Sequence, residues 1–381
     1  MRNIVHIDLN AFFAQCEENA HPEFKNKPIA IGRLNSRSVI STCNYEARKY
    51  GIHSAMPPSQ AVKLCKDLIL LDGHYSLYSK VSQQFMSFIK RRYKIVEVAS
   101  IDECYIDMSQ LFTPDEAEDY LKDLQFEILT KLHLKCSIGY SYTKFLAKMC
   151  SDYRKPMGLT ICLNDDYKRL FWPMKIESMW GVGKKSAPKL RNLGITTIGE
   201  LAKADQTSLE SELGTFATFL IDAANGRGSD ILDTSSFNPK SMSSSITLLY
   251  DSDDENYLKT ILSNQVKEVQ ESLLKYSKLA TSAVLTLRDE NFVTRSKRMK
   301  IQPSDDYSTL NAAAQKLFDS FYKSGTYIRL IGFGIDNSIL KGASMPSLFD
   351  VEKDNPAQEL VNELNEKIPN GGFKTLGELK K

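Results

Sequence analysis

The chain has 381 residues, of which 42% are hydrophobic and 25% charged, with a formal net charge of +2. This length predicts two to four domains, and the composition excludes a disordered or fibrous protein. No apolar run approaches the roughly 20 residues of a membrane span, so we expect no membrane partner, and any nucleic-acid binding must use local basic patches.

The first 165 residues alternate β-rich runs with helical stretches, which predicts an α/β or α+β arrangement. The predicted strands are Ile4–Asp8, Pro28–Ile31, Val39–Thr42, Val96–Ile101, Cys104–Met108 and Ser137–Ser141. The predicted helices are Asn10–Asn19, Asn44–Tyr50, Ser59–Cys65, Leu77–Arg91 and Asp115–Leu132.

From Tyr167 to Gly226 the β signal fades, and helices with short glycine turns are predicted. Residues 229–240 are polar and have the composition of an exposed linker. A second α/β unit follows, and after Gly342 the chain continues as a tail. The predicted elements of this unit are the strands Ser245–Leu249, Ser282–Leu287, Val293–Ile301 and Arg329–Ile335 and the helices Glu255–Tyr276 and Ser308–Tyr322.

The cysteines indicate a reducing environment. All seven lie in the first half of the chain, and none forms a Cys-x-x-Cys pair: Cys16, Cys43, Cys65, Cys104, Cys136, Cys150 and Cys162. This spacing does not favour a zinc site or a disulfide framework. We expect buried thiols and a cytoplasmic location.

Three carboxylates are candidates for chemistry. Asp8 ends an apolar strand, and Asp102-Glu103 interrupts an apolar hairpin. Because successive strand side chains point to opposite faces, Asp102 and Glu103 can serve one site only at a turn or bulge. Converging carboxylates need divalent cations, and oxygen ligands suit Mg²⁺ in two-metal phosphoryl transfer. Taken alone, the pair is more simply a solvated corner, and Asp8 a helix cap.

Several ordered motifs carry a family resemblance. They are Asp8–Ala14, Ser41–Arg48, Ser100–Tyr105, Gly139–Ser141 followed by Lys144–Lys148, and Lys155–Gly158. In this order the chain resembles the Y-family translesion DNA polymerases, and the bacterial members most of all, over roughly residues 1–342.

The resemblance implies an α+β multidomain fold, the right-hand polymerase. Its parts would be a palm (1–10 and 74–165), fingers (11–73), a helical thumb (166–228), a linker (229–241), an α/β little finger (242–342) and a C-terminal tail (343–381). The implied activity is translesion, low-fidelity synthesis by a monomeric DNA-directed DNA polymerase, which adds dNTPs to the primer of a primer–template DNA.

The resemblance also implies roles for individual residues. Asp8, Asp102 and Glu103, with the Leu9 carbonyl, would ligate two Mg²⁺ ions, with Mn²⁺ as an alternative. Phe13 would be a steric gate against the ribose 2′-OH. The full set of implied nucleotide contacts is Phe12, Phe13, Thr42, Tyr45, Arg48 and Lys155. Without the resemblance, Phe12-Phe13 indicates core, and Arg48 an ordinary helix residue.

Two segments are candidates for DNA binding. Gly181, Gly183, Lys184 and Lys185 resemble a helix-hairpin-helix turn, although a plain glycine-capped corner explains the same residues. A basic run near a predicted strand consists of Arg295, Lys297, Arg298 and Lys300. Such a strand gives sequence-independent, salt-sensitive affinity for a duplex, or else protects a sheet edge from aggregation.

Two rival functions remain open from the sequence. A non-catalytic DNA-binding scaffold could keep the polymerase fold, and a nucleotidyl cyclase-like palm shares paired carboxylates. Primer extension by carboxylate variants separates the first from a polymerase, and a template requirement separates the second.

The tail contains a short apolar peptide that resembles the sliding-clamp-binding peptides of bacterial polymerases. Its anchors are Met345, Leu348 and Phe349, and Met345 departs from the usual Gln. Beyond it, residues 357–368 carry an apolar stripe at helical spacing, which indicates docking onto the body or a partner site.

Replacing both Leu348 and Phe349 by Ala should abolish binding to a sliding clamp, because these two side chains supply the apolar anchor. A pull-down with purified clamp measures this, and retained binding would reject the assignment.

Overall fold

The computed structural model describes residues 2–34, 37–235 and 238–342, so the predicted clamp-binding peptide and the apolar stripe lie outside the described residues. The chain divides into two compact units, Met1–Phe237 and Asn238–Lys381. The boundary falls within the predicted linker, 229–241. Each unit has its own hydrophobic core.

The first unit contains strands that form two sheets. The strands are β1 (Ile4–Leu9), β2 (Ile29–Ile31), β3 (Thr42–Cys43), β4 (Ile69–Leu71), β5 (Val96–Val98), β6 (Glu103–Asp107), β7 (Cys136–Ser141) and β8 (Leu159–Ile161). One sheet has the order β5-β6-β1-β7-β8, and β1 runs antiparallel to both of its neighbours. The smaller sheet has the order β3-β2-β4.

Helices surround these sheets. They are α1 (Phe12–Ala20), α2 (Tyr45–Arg48), α3 (Pro58–Leu64), α4 (Tyr75–Arg92), α5 (Ala117–Leu132), α6 (Lys144–Tyr153), α7 (Asp166–Leu170), α8 (Ser186–Asn192), α9 (Ile198–Ala202), α10 (Gln206–Leu213) and α11 (Phe216–Ala224). None of the helices in the described part of the chain is long and apolar enough to cross a membrane.

The first unit contains three main hydrophobic cores. One lies under the five-stranded sheet and includes Ile7, Phe85 and Ile128. A small core beside the three-stranded sheet includes Ile40 and Ala47. The third joins α6 to the helices after residue 166. The first core also contains Phe12 from the predicted fingers, and the third also contains Phe145 and Cys162 from the predicted palm, so these cores cross the predicted domain boundaries.

Gly139 on β7 allows α6 to pack directly on the five-stranded sheet. A Cβ at this position would collide with the Ala147 carbonyl oxygen and the Ser151 backbone nitrogen. Any larger residue would therefore push the helix off the sheet.

The second unit is one antiparallel sheet covered by two helices. Its elements are β9 (Met242–Ser252), α12 (Glu255–Lys275), β10 (Lys278–Asp289), β11 (Thr294–Ser304), α13 (Tyr307–Phe321), β12 (Ile328–Ile335) and β13 (Ser338–Leu340). The main strand order is β11-β10-β12-β9, and β13 pairs with β10. All four predicted strands are confirmed, in longer form.

Several sequence predictions need correction. The predicted strand Val39–Thr42 is wrong except at its end, because Ile40 exchanges its backbone hydrogen bonds with Ala55 and Met56 instead of with a sheet. The predicted linker is not wholly exposed, since Leu232 is buried against Ile4 and Ala147. The short strands β4, β8 and β13 were not predicted from the sequence.

Candidate active site

Two of the three candidate carboxylates face each other across a strand pair. Asp8 on β1 is the antiparallel partner of Glu103 on β6. Directly paired residues project from the same face of a sheet, so the two carboxylates are neighbours. The Asp8 residue is only 7% exposed. A buried carboxylate at this position requires a compensating cation.

The ammonium group of Lys148, on α6, supplies such a charge. Its Nζ donates to Asp8 Oδ2 at 2.8 Å and to Glu103 Oε2 at 2.7 Å. Burial lowers the pKa of Lys148, but the carboxylates of Asp8 and Asp152 outweigh burial and raise that pKa above its ordinary value. Lys148 is therefore a cation at neutral pH.

A second ammonium group holds the other oxygen of Asp8. Lys155 Nζ lies 2.6 Å from Asp8 Oδ1 and 2.7 Å from Asp152 Oδ1. The structure thus brings Lys155, a candidate triphosphate ligand, into the carboxylate site.

Asp102 lies at the turn immediately before β6. Ser100 Oγ donates to Asp102 Oδ1 at 2.6 Å, and the Leu9 N–H donates to the Asp102 backbone carbonyl at 3.0 Å. Burial raises the pKa of Asp102, and the charges of Asp8 and Glu103 raise it further. Asp102 therefore shares the electrostatic environment of the other two carboxylates. The turn also satisfies the requirement that Asp102 and Glu103 not continue one regular strand.

Within the described residues, no group of three or more acidic, histidine or cysteine side chains is arranged to hold a metal ion. Two lysine ammonium groups instead contact the carboxylate oxygens of Asp8 and Glu103. Each ammonium group neutralises the carboxylate oxygens that it contacts. The donors are oxygen atoms only, which is the ligand set preferred by hard divalent cations.

A buried histidine supports Glu103. His6 Nε2 lies 3.4 Å from Glu103 Oε2 but makes no hydrogen bond within the described residues. His6 Nδ1 is 2.8 Å from Ser151 Oγ. Burial lowers the pKa of His6. Burial also raises the pKa of Glu103, but the interactions with His6 and Lys148 outweigh it and hold this pKa below its ordinary range.

The candidate phosphate ligands Tyr45 and Arg48 lie on the short helix α2. The Asn44 side chain caps this helix by accepting from the Ala47 N–H at 2.9 Å. The Arg48 guanidinium carbon lies 4.6 Å from the centre of the Tyr45 ring. The Tyr45 hydroxyl is buried and has no hydrogen-bond partner among the described residues. Thr42 lies nearby in the chain, on β3.

The two adjacent phenylalanines separate. Phe12 is 3% exposed and its side chain belongs to the core, so the predicted contact to a nucleotide would use its backbone. Phe13 is half-buried and stacks on Tyr78 with ring centres 4.3 Å apart. Ala11 precedes them in a left-handed conformation with φ of 46°, which is unusual for a residue other than glycine.

The glycine turn and the basic strand lie in different units. Gly181 has φ of +93°, and a Cβ on Gly183 would meet nothing within 4 Å. Lys184 and Lys185 are exposed and immediately precede α8.

The four basic residues of the strand point in two directions. Lys300 and Arg298 pair with Ser282 and Val284, whereas Lys297 and Arg295 pair with Leu285 and Leu287. Because both leucines are buried in the core, Arg295 and Lys297 lie on the helix-covered face. Lys297 Nζ indeed donates to the carbonyl of Ser320 on α13 at 3.0 Å. Arg298 and Lys300 therefore lie on the opposite, open face.

Several residues of the site have no role predicted from the sequence. These are His6, Ser100, Lys148, Ser151 and Asp152. A signal exists for part of this set, since Lys148, Asp152 and Lys155 follow each other at spacings of four and three. Lys148 and Asp152 lie on the largely buried helix α6 and Lys155 follows its end, and such alternating charges indicate a polar function.

Comparisons with known proteins agree with this arrangement. Residues 7–152 match the impB/mucB/samB family, residues 164–195 its HHH motif, and residues 239–347 its C-terminal domain. The DNA polymerase IV of Streptococcus thermophilus (strain CNRZ 1066) is 37% identical over 344 residues, or 87% of this chain and 92% of the relative. That of Listeria monocytogenes serotype 4a (strain HCC23) is 36% identical over 339 residues, or 88% and 95%.

Solved structures give the same result. A Y-family DNA polymerase chimera aligns with a TM-score of 0.78 and 26% identity, covering 89% of this chain and 99% of its own. DinB from Sulfolobus solfataricus aligns with a TM-score of 0.62 and 25% identity over the same shares.

The fold and the acidic site thus define a DNA-directed DNA polymerase of the right-hand class. The chain belongs to the impB/mucB/samB family, the Y-family DNA polymerases that include DNA polymerase IV. It functions in translesion DNA synthesis and binds DNA and dNTPs. Y-family DNA polymerases generally use divalent metal ions.

Replacing Lys148 by Met should make folding depend on divalent cations. The change leaves Asp8 and Glu103 without a shared buried cation, which costs about 3–5 kcal/mol of stability. Thermal unfolding in chelator should show a lower melting temperature than that of the wild type, and added divalent cation should recover more stability in the variant.

Lys144→Met is the matched control, since Lys144 lies on the same helix but pairs with Glu97. Equal responses of both variants to the cation would mean that Lys148 does not neutralise the carboxylates.

Proposed function

We propose that nucleotide addition takes place at Asp8, Asp102 and Glu103 with two Mg²⁺ ions. The observation that carries this proposal is the pairing of Asp8 with Glu103, whose oxygens share the Lys148 ammonium. The site already neutralises two anionic oxygens with one cation. The same oxygens suit a divalent ion in its place.

The residues present fit Mg²⁺. Three carboxylates and the Leu9 carbonyl offer only oxygen ligands, and Mn²⁺ takes the same kind of donor. When bound, the two ions would activate the primer 3′-OH and stabilise the pyrophosphate leaving group. The hydrogen bond from Ser100 Oγ orients the Asp102 carboxylate, and His6 lies beside the carboxylate of Glu103.

The cationic residues would hold the triphosphate. Lys155 brings a point charge to the edge of the carboxylates, and Arg48 offers a planar fork for phosphate oxygens. The unpartnered Tyr45 hydroxyl is a donor that a phosphate oxygen satisfies. Thr42 is a further candidate donor. Together they place positive charge and hydrogen-bond donors where negative charge develops on the leaving group.

Phe13 is the proposed steric gate. Its ring is fixed by stacking on Tyr78, and a fixed ring excludes a ribose 2′-OH better than a mobile one. Phe13→Ala should therefore raise ribonucleotide incorporation relative to deoxyribonucleotide incorporation, measured as a ratio of kcat/KM values. A ratio equal to that of the wild type would remove Phe13 from this role.

Apart from the side chains that cross the boundaries, the cores follow the proposed division into domains. Residues 1–10 and 74–165 would be the palm, 11–73 the fingers, 166–228 the thumb and 242–342 the little finger. The turn with Gly181, Gly183, Lys184 and Lys185 would bind a DNA phosphate, as its match to the HHH motif supports. Residues 229–241 would connect the thumb to the little finger.

Three further proposals rest on the relatives and the sequence alone. The Met345, Leu348 and Phe349 peptide would bind a sliding clamp. The enzyme would act as a monomer in the cytoplasm. Size-exclusion chromatography with light scattering tests the monomeric state, and a stable dimer would contradict it. Imaging of a tagged chain in cells tests the cytoplasmic location, and a membrane signal would contradict it.

Asp102→Ala and Glu103→Ala should each abolish primer extension, because each removes a proposed metal ligand. We expect a loss of at least about a hundredfold in kcat. Extension of a labelled primer on an undamaged and a damaged template measures this.

Glu118→Ala is the control, because Glu118 is an exposed residue of α5 paired with Lys122. Near-normal synthesis by either active-site variant would refute the assignment, and an inactive control would indicate a folding defect.

The two faces of β11 should differ in DNA binding. Reversing the charges of Arg298 and Lys300 to Glu should weaken binding and reduce the slope of log Kd against log salt by up to about two, one per phosphate contact. Arg295→Glu with Lys297→Glu is the matched control on the helix-covered face. Equal loss of slope in both pairs would show that the open face is not the one that contacts DNA.

A further inference from the structure

Three aromatic side chains form an exposed patch next to the glycine turn of the first unit. Trp180, Phe216 and Phe219 are 47%, 36% and 39% exposed. The Phe216 and Phe219 rings stack with centres 5.5 Å apart, and Trp180 meets Phe219 edge-on at 6.5 Å. We call these three residues the aromatic patch.

The patch is more than the exposed margin of a core. Phe145 on α6 lies against it, with ring centres 6.2 Å from Trp180 and 6.3 Å from Phe219. Phe145 itself is buried and belongs to the core of the helical region. Single exposed aromatic residues are common, but three in mutual contact over a closed core indicate a surface that a partner covers.

The position of the patch relates it to the turn. Gly181 carries the positive φ of the turn, and a Cβ there would lie 3.5 Å from Phe216 Cζ and 3.8 Å from Phe219 Cε1. The rings thus lie close to the Gly181 face of the turn, within van der Waals distance of a Cβ at this position. Anything bound along this turn would lie beside them.

The charge around the patch favours a polyanion. Lys184 and Lys185 follow the turn and are exposed. In the described part of the chain neither lysine is in an ion pair. Flat rings next to unpaired cations match a nucleic-acid strand, in which apolar sugar and base faces alternate with phosphates. An acidic peptide would satisfy the lysines but has no need of a flat aromatic surface.

We propose that the aromatic patch is a contact surface for the sugar and base faces of a DNA strand whose phosphates are held by the adjacent turn. The inference rests on the DNA binding proposed for that turn, and adds an apolar contact to it. Such a contact releases no counterions, so its contribution to affinity is independent of salt.

The test separates the two contributions by titrating full-length protein with labelled primer–template DNA over a range of salt concentrations. Trp180→Ala combined with Phe219→Ala should raise Kd by about tenfold at every salt concentration, with the slope of log Kd against log salt unchanged. Lys184→Ala with Lys185→Ala should instead reduce the slope. Phe126→Ala, which removes an exposed aromatic side chain of α5, should leave both unchanged.

The outcomes distinguish the inference from the function on which it rests. If Kd is unchanged in the aromatic variant and the slope is reduced in the lysine variant, the proposed DNA contact of the aromatic patch is rejected. The DNA binding proposed for the turn is then retained. A changed slope in the aromatic variant also overturns it, because the rings would then act only by positioning the lysines. An unchanged slope in the lysine variant contradicts the proposed turn itself.

A second test, by tryptophan fluorescence, leaves all three residues of the aromatic patch in place. The chain has two tryptophans, and Trp172 donates its indole N–H to the Ala224 carbonyl at 2.8 Å. In Trp172→Phe, Trp180 is the single fluorophore, and bound DNA should lower its acrylamide quenching constant by at least about twofold. Equal quenching with and without saturating DNA would overturn the proposal.

Discussion

The contact on which the site depends is the buried ammonium of Lys148 between the carboxylates of Asp8 and Glu103. Two acidic side chains on paired strands would repel each other and lose hydration, at a cost of several kcal/mol if left alone. Lys148 offsets this cost in the folded protein. Lys148 therefore allows the carboxylates of Asp8 and Glu103 to remain anionic although they are partly buried. A metal-dependent enzyme needs such anionic oxygens as metal ligands.

That contact depends on how closely α6 approaches the sheet. Gly139 has no side chain, so the backbone of α6 lies directly on β7, the neighbour of β1. Ser151, on the same helix, reaches His6 beneath Glu103. Backbone packing at one glycine thus sets the position of two polar groups that act on the carboxylates.

Much of this could be predicted from the sequence, because strands and carboxylates are local features. The turn at Asp102-Glu103 follows from the alternation of strand side chains, and the strands of the second unit follow from their apolar runs. Strand Val39–Thr42 failed because apolar residues of a loop can pack without sheet pairing, as Ile40 does. Short strands such as β8 are too brief to give a periodic signal.

The roles of individual charges could not be predicted, because they depend on which face of an element is covered. The basic run 295–300 is uniform in sequence, yet alternate residues lie on opposite faces, and Lys297 bonds a helix rather than facing solvent. Likewise Phe12 and Phe13 are chemically equal in the sequence. One fills the core and the other stacks half-exposed on Tyr78 because α1 rotates successive side chains by about 100°.

Helix α6 contributes both to the carboxylate site and to the surface proposed to hold DNA in the first unit. Its residues Leu146 and Met149 belong to the core of the helical region, while Lys148 lies among the carboxylates. Met149 also accepts from the backbone N–H of Trp180 at 3.4 Å, next to the glycine turn. A rigid helix of ten residues therefore carries both the charge that organises the carboxylates and the support for the surface proposed to hold DNA. With both on one element, the distance between the proposed DNA-binding surface and the acidic residues is fixed by helix geometry rather than by a flexible linker.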